Sequence, residues 1–225
     1  MRQKKQPFRR RAPRAERQAQ ILAAAFKEFA AKGYAGARLD NVAKRAQVAK
    51  GTIFLHFRDK KSLFRAVLRS LIHPVRADVE TGGGECRGEA QMRELLSRIY
   101  AEVVENEKAR ALLRLLIAEG EHFPELAQIY YQEIIAPGAS AIELVVEDGI
   151  DAGVFESTVA RGFPQILVAP AILAVVWVLL FGRRHLLDID AYREAHLDFV
   201  ARGLRNTAHE DASRTTTHLV PGGKQ

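Results

Sequence analysis

The sequence predicts an all-α protein with a small N-terminal helical domain and a larger helical domain after it. Apolar residues recur three and four positions apart in segment after segment, which is the spacing of one helix face. The chain has no convincing alternation of apolar and polar residues that would predict a strand, and it has no internal repeat. Positive charge is concentrated in the first quarter, so the two parts also differ in composition.

The uneven charge indicates a polyanionic partner. Residues 1–17 hold eight basic residues and one acidic residue, and residues 18–61 hold nine basic and three acidic residues. The remaining residues are net acidic, although the whole chain carries a formal charge of +7. Such asymmetry across a whole domain is typical of nucleic-acid binding. The alternative is a merely solvated charged face, which is the usual explanation for a single charged run.

Other classes of protein find little support in the sequence. A single cysteine, Cys86, excludes an intramolecular disulfide. The chain contains no phosphate loop, nucleophile elbow, dinucleotide fingerprint or metal-ligand spacing, so we expect no enzyme, cofactor or metal. The basic N-terminus lacks the apolar stretch of a signal peptide. The apolar run over residues 166–181 contains Pro170 and is shorter than the about 20 residues of a membrane span, so we expect a buried helix in a cytoplasmic protein.

The predicted N-terminal domain occupies residues 15–60 and follows a disordered basic arm at residues 1–14. Its first helix begins at Ala15 and ends near Gly33, which favours a left-handed C-cap. Two short helices are predicted at about residues 39–46 and 49–55. Asp59 then caps a longer helix, with which the second domain begins.

The predicted second domain occupies residues 61–205 and precedes a disordered polar tail at residues 206–225. A glycine-rich loop at residues 81–84 interrupts it. Pro124 and Pro164 stand where the first turn of a helix tolerates proline. Further helices are predicted at about residues 89–106, 108–119, 123–150, 164–184 and 190–205.

The two short N-terminal helices predict a helix-turn-helix, whose second helix can enter the major groove of DNA. Val48, Ile53 and Phe57 would face the small core. Lys50 can then donate to guanine or phosphate, and Gly51 permits close approach of the backbone. The residues predicted to project outward are Lys50, Gly51, Thr52, Leu55 and His56.

An ordered set of motifs within residues 21–68 resembles the DNA-binding domain of the TetR family. The matching residues are Ala24, Ala25 and Phe29, then Gly33 and Tyr34, residues 40–43, Val48, Lys50 to Thr52, His56 and Phe57, Lys60, and Leu63 and Phe64. The resemblance implies that Phe54 stands where the family has a phosphate-contacting tyrosine, and that Lys60 begins the fourth helix at a phosphate. Arg38 and the basic arm would then offset the missing tyrosine hydroxyl. The resulting DNA-binding set is Arg38, Lys50, Gly51, Thr52, Phe54, Leu55, His56 and Lys60.

Two further departures from the family pattern affect the turn between the two short helices. Gln47 replaces the usual glycine, so a residue with a Cβ must adopt a left-handed conformation at a cost of about 1–2 kcal/mol. Ala49 replaces the usual serine N-cap and forfeits roughly 0.5–2 kcal/mol of helix stabilisation.

Residues 112–138 resemble the ligand domain of an AefR-like branch of the TetR family, which implies a small-molecule effector. We expect that effector to be largely apolar, because pockets between helices are mostly apolar. Aromatic residues at helical spacing can equally be ordinary core. The predicted ligand-binding residues are Arg114, Glu119, His122, Phe123, Tyr130, Tyr131, Phe163 and Trp177.

The last two helices predict a homodimer, because both carry broad apolar faces that need cover. Cover by the chain's own domain is the alternative. The predicted dimerisation residues are Ile166, Leu173, Trp177, Leu180, Leu197, Val200 and Leu204.

The sequence therefore favours a cytoplasmic, homodimeric regulator of transcription, with double-stranded DNA and a small effector as partners and no membrane. In the simplest form it is a repressor that the effector releases from a palindromic operator. An enzyme, a sequence-independent architectural DNA binder and a regulator without a ligand are the alternatives.

Overall fold

A computed structural model describes residues 13–72, 87–156, 162–182 and 184–205. Residues 1–12 of the predicted arm, the predicted loop at 81–84, Cys86 and the predicted tail lie outside these ranges. Within them the chain is helical, as predicted, and its β-structure is a single antiparallel bridge between Phe155 and Arg205.

The N-terminal helices follow the predicted order. They are α1 (Arg14–Gly36), α2 (Leu39–Ala46), α3 (Lys50–His56) and α4 (Lys60–Leu71). Gly33 has φ 70° and interrupts the helical geometry of α1 where the sequence predicts a helix end. Asp59 caps α4 as predicted, and its side chain accepts a hydrogen bond from the Ser62 N–H at 2.6 Å.

The second part of the chain contains six further helices among the described residues. They are α5 (Arg87–Ile99), α6 (Glu107–Glu119), α7 (Pro124–Tyr130), α8 (Ala136–Asp151), α9 (Pro164–Phe181) and α10 (Ile189–Leu204). Pro124 and Pro164 are the first residues of their helices, as predicted. Two π-helical turns were not predicted: Tyr100–Glu105 continues α5, and Tyr131–Ile135 joins α7 to α8.

The first hydrophobic core joins the N-terminal helices to α6 and α7. Phe29 of α1 and Phe64 of α4 pack edge to face with ring centroids 5.5 Å apart, and Leu116 of α6 and Ile129 of α7 belong to the same cluster. Because α4 contributes four buried residues to this core, the predicted boundary between residues 60 and 61 falls within the first turn of a helix that packs with the N-terminal domain.

The second core lies between α5, α8, α9 and α10. A buried polar pair stands inside it, with the Tyr100 hydroxyl 3.1 Å from His196 Nδ1. Burial raises the pKa of Tyr100 to about 12 and lowers the pKa of His196, so both side chains are neutral near pH 7.

Only 28% of the residues of helix α9 are buried within the subunit. By length and composition alone α9 is long and apolar enough to cross a membrane. Core helices of folded domains meet the same criterion. Leu167, Ala171 and Ala174 pack into the second core, whereas Leu173 and Leu180 are exposed. Within one subunit α9 is therefore buried on one side only, and its exposed residues include the predicted dimerisation residues Leu173 and Leu180.

Candidate nucleic-acid interface

The turn between α2 and α3 has the predicted strained geometry. Gln47 adopts φ 55° and ψ 41°, the left-handed conformation that its Cβ disfavours. Its backbone N–H donates to the carbonyls at the end of α2, which closes that helix. Ala49 provides no side-chain cap for α3, as its missing hydroxyl predicts.

Helix α3 presents an outward face on this frame. Ile53 and Phe57 are buried in the first core, whereas Leu55 is 79% exposed and Phe54 is 49% exposed. Because Phe54 cannot donate a hydrogen bond, its exposed ring can offer only apolar contact. A large apolar side chain so exposed on a short helix is a candidate for contact with a partner.

Gly51 stands at the first turn of α3 with open space around it. A Cβ built at Gly51 would have no neighbouring atom within 4 Å, so packing inside the subunit does not require glycine there. The absence of a side chain is instead useful to a ligand that approaches the helix backbone closely.

Lys50 is paired within the subunit. Its Nζ lies 2.9 Å from Asp40 Oδ1, and both side chains are about half exposed. Asp40 stands in the first turn of α2, so this ion pair links the two helices of the motif. Lys50 must exchange this carboxylate for phosphate or guanine if it binds DNA, and exposed ion pairs are weak enough to permit that.

Lys60 contacts the chain itself rather than lying open at the surface. Its Nζ donates to the carbonyls of Tyr34 at 2.7 Å, Ala37 at 3.2 Å and Ala35 at 3.3 Å. Burial lowers its pKa. The resemblance implies a phosphate at the start of α4, but the Lys60 ammonium is already bound to the backbone at the end of α1, so a phosphate there would have to meet other groups. Arg38, by contrast, is exposed at the start of α2.

Glu119 of α6 binds the same stretch of backbone, at residues 34 and 35. Its carboxylate oxygens accept hydrogen bonds from the N–H groups of Tyr34 at 3.0 Å and Ala35 at 2.8 Å. A Cβ at Gly33 would collide with this carboxylate, so the contact requires glycine as its neighbour. The prediction of Glu119 as a ligand anchor is corrected: its side chain joins α6 to the DNA-binding domain.

A cavity of about 170 Å³ lies beside both π-helical turns. It is almost entirely apolar, and the described lining residues that carry a polar group are Glu102, Gln165 and Tyr130. The lining residues are Ile72, Ile99, Glu102, Val103, Tyr130, Ile134, Ile135, Gly138, Ala139, Ile142, Pro164, Gln165, Val168 and Ile172.

Of the eight predicted ligand-binding residues, Tyr130 alone lines this cavity. Phe123 packs its ring against Tyr34 with centroids 5.2 Å apart, and Trp177 Nε1 donates to the His185 carbonyl at 2.9 Å. These contacts place both rings elsewhere. Arg114, His122, Tyr131 and Phe163 are exposed outside the cavity.

The predicted dimerisation residues separate into two groups. Ile166, Leu173, Trp177 and Leu180 are exposed on α9. Leu197, Val200 and Leu204 are buried in the second core of their own subunit, which corrects their assignment to an intersubunit surface. The large apolar side chain that α10 exposes is instead Phe199.

Comparison with known proteins agrees with this architecture. The model of bacterial regulatory proteins of the tetR family matches residues 21–67, and the model of the AefR-like transcriptional repressor C-terminal domain matches residues 90–161. The fold and the exposed helix define a helix-turn-helix regulatory protein. The two models together span more than half of the sequence, and the chain belongs to the TetR family of bacterial regulatory proteins.

Individual proteins with similar sequences are named as helix-turn-helix regulators of transcription. The chain is 29% identical over 139 residues to the HTH-type transcriptional regulator YhgD of Bacillus subtilis, covering 61% of this chain and 71% of that protein. It is 31% identical over 119 residues to the HTH-type transcriptional regulator TtgR of Pseudomonas putida, covering 52% of this chain and 57% of that protein. These relatives are named as regulators of transcription rather than enzymes.

Solved structures share the fold at low identity. A TetR transcription regulator from Haloarcula marismortui aligns with TM-score 0.66 and 18% identity, over 85% of this chain and all of that one. FadR from Bacillus subtilis, solved in complex with stearoyl-CoA, aligns with TM-score 0.64 and 18% identity, over 83% of this chain and 99% of that one.

The open space at Gly51 predicts opposite effects of Gly51→Ala on stability and on DNA binding. Alanine should stabilise α3 by about 0.5–1 kcal/mol, because glycine loses more backbone entropy in a helix. The added methyl should weaken binding to DNA selected from a random pool by about 1–3 kcal/mol, the scale of one specific contact. Urea unfolding and gel mobility shift measure the two effects. Gly203→Ala is the control, because Gly203 also has open space around it but lies in α10, outside the cavity; equal DNA affinity of both variants would contradict the prediction.

The Glu119 contact predicts a local change on removal of its carboxylate. Glu119→Ala should destabilise the fold by about 1–3 kcal/mol, since two backbone donors lose their acceptor. Hydrogen exchange of the Tyr34 and Ala35 amides should accelerate more than that of amides within α5. Glu121→Ala, two residues along and exposed, is the matched control and should leave both amides protected. Unchanged exchange in the Glu119 variant would mean that the contact does not form in solution.

Proposed function

We propose that this chain is a ligand-responsive transcriptional repressor, cytoplasmic and dimeric, which a small apolar effector releases from a palindromic operator. The observation that carries the proposal is the outward face of α3, where Leu55 and Phe54 are exposed beside the open backbone of Gly51. A helix of this kind fits the major groove, which is wide enough for one helix.

The proposed DNA contacts divide by chemistry. Leu55 and Phe54 supply apolar contact for thymine methyl groups, and Gly51 permits close approach. Lys50, Thr52 and His56 supply polar contacts from the same helix. Arg38 is exposed at the start of α2 and can contact phosphate. The start of α4 contributes backbone N–H groups, because the Lys60 side chain is already bound to carbonyls.

The proposed dimer uses the exposed apolar residues of α9 and α10. Ile166, Leu173 and Leu180 recur every seven residues along α9, so they form one stripe. Phe199 is 75% exposed on α10, which packs against α9 in the same subunit. Exposed apolar surface of this extent is typical of an interface, and a two-fold pair of subunits presents two α3 helices to a symmetric operator.

The proposed effector site is the cavity between the π-helical turns, and α6 and α7 connect it to the DNA-binding domain. Tyr130 lines the cavity and packs on the first core, and Phe123 of the preceding loop packs on Tyr34. Glu119 holds the adjoining backbone. An effector that binds better to one arrangement of α6 and α7 would shift the spacing of the two α3 helices.

Selection of bound sequences from a random DNA pool tests the proposed function. We expect a palindrome whose half-site centres are about 34–36 Å apart or a multiple of that spacing, since each subunit presents one α3 to one face of the duplex. The selected site should bind about 10³-fold or more tightly than random DNA. Equal affinity for all sequences would instead indicate an architectural DNA binder.

The proposed dimer interface predicts that Phe199→Glu separates the subunits. A carboxylate at this position would be buried without a partner in the proposed interface, which strongly disfavours association. Sedimentation at micromolar concentration should give a dimer for the native chain and a monomer for the variant. Leu186→Glu is the control, because Leu186 is also highly exposed but lies between α9 and α10. A variant that remains dimeric would place the interface elsewhere.

A further inference from the structure

One short segment lies between the apolar cavity and the DNA-binding domain: the π-helical turn Tyr131–Ile135, which joins α7 to α8. Ile134 and Ile135 of this turn line the cavity. The two residues before them, Gln132 and Glu133, instead contact α4, a helix of the first core. A single turn of five residues therefore contacts both the cavity and a helix that packs with the DNA-binding domain.

Glu133 binds α4 through two arginines. Its carboxylate accepts hydrogen bonds from Arg69 Nε at 2.5 Å and Arg69 Nη2 at 2.9 Å, and Arg65 Nε lies 3.3 Å from Glu133 Oε1. Arg65 and Arg69 are four residues apart and so lie on one face of α4. The Glu133 side chain is only 13% exposed, and a bidentate pair between a guanidinium and a carboxylate fixes the direction as well as the distance of a contact. Glu133 and α4 are therefore held in one relative position for as long as these pairs persist.

The sequence explains why the turn between α7 and α8 can bend. Pro137 stands four residues after Glu133 and has no N–H to donate to the Glu133 carbonyl, so the regular hydrogen-bond pattern of an α-helix is interrupted there. Sharp bends in helices occur at prolines and at π-helical turns, and this segment has both. The junction of α7 and α8 is therefore the place where this pair of helices bends most readily.

We infer that Glu133 is a positioning residue that couples occupation of the cavity to the DNA-binding domain. A guest in the cavity displaces Ile134 and Ile135, and the turn changes its bend. Glu133 then moves α4 through its pairs with Arg65 and Arg69. The inference rests on the proposed function in taking the cavity as the effector site, and it adds the side-chain contact through which occupation of that site changes DNA binding.

Larger side chains at the cavity wall stand in for a guest in the test. Gly138→Leu and Ala139→Leu each add volume at a lining residue, and a Cβ at Gly138 would have no neighbouring atom within 4 Å. Each variant should bind the DNA selected from a random pool about tenfold more weakly in a gel mobility shift, a usual size of coupling between sites. With Glu133→Gln in the same chain, the wall substitutions should change the affinity by about twofold or less, as substitutions at independent sites do.

The double substitution separates coupling from a merely structural role. A structural Glu133 would lower DNA affinity by one factor in every background and leave the effect of the wall substitutions unchanged, which would overturn the inference. Wall substitutions without effect on DNA binding in the native background would overturn it as well. Arg69→Met breaks the same contact from α4 and should reduce the wall effect even if the Glu133 variant does not fold. Glu94→Gln is the matched control, because Glu94 pairs with Arg98 at 2.8 Å on the exposed side of α5, and it should leave the wall effect in place.

The two levels of proposal fail separately, because hydrogen exchange of the α4 amides measures the coupling without DNA. The wall substitutions should change exchange near Arg69 in the native background and leave it unchanged with Glu133→Gln. If DNA is selected and the wall effect persists without the Glu133 carboxylate, the coupling inference is overturned and the DNA-binding proposal stands. If exchange in α4 responds only when Glu133 is present while no DNA sequence is selected, the coupling inference holds and the regulatory proposal falls.

Discussion

The position of the DNA-binding helices depends on the side-chain contacts that bind the backbone after Gly33, at the end of α1. Gly33 turns the backbone with a positive φ, and side chains bind the backbone polar groups of residues 34, 35 and 37 that follow it. Glu119 accepts from the N–H groups and Lys60 donates to the carbonyls, so side chains from α6 and α4 satisfy one stretch of backbone from both directions. Opposite charges at these positions also attract one another, and the two domains therefore meet through a specific polar contact as well as a shared apolar core.

The apolar cavity has a comparable local cause. An α-helix that keeps its hydrogen-bond pattern packs without gaps against its neighbours, whereas a π-helical turn inserts an extra residue and displaces the following side chains. Two such turns, in the segments after α5 and α7, contribute Glu102, Val103, Ile134 and Ile135 to one cavity wall. The cavity therefore lies where two helices depart from regular geometry.

Much of the fold was predictable because its signals are local. Gly33, the left-handed Gln47, the Asp59 cap and the helix-initiating prolines all act within a few residues, and all are found as predicted. The π-helical turns were missed because the apolar spacing runs through them without a break. Glu119 was misassigned because the sequence does not distinguish a carboxylate that binds a ligand from one that accepts a hydrogen bond from a backbone N–H 84 residues away. On α10, apolar residues on two sides left the choice between Leu197 and Phe199 to tertiary packing.

Helix α9 has different neighbours on its different sides. Pro164, Gln165, Val168 and Ile172 line the cavity, whereas Ile166, Leu173 and Leu180 are exposed and fall about a third of a turn away at 100° per residue. In the proposed dimer α9 would therefore contact both the cavity and the partner subunit. Ligand binding and dimerisation would then involve the same helix.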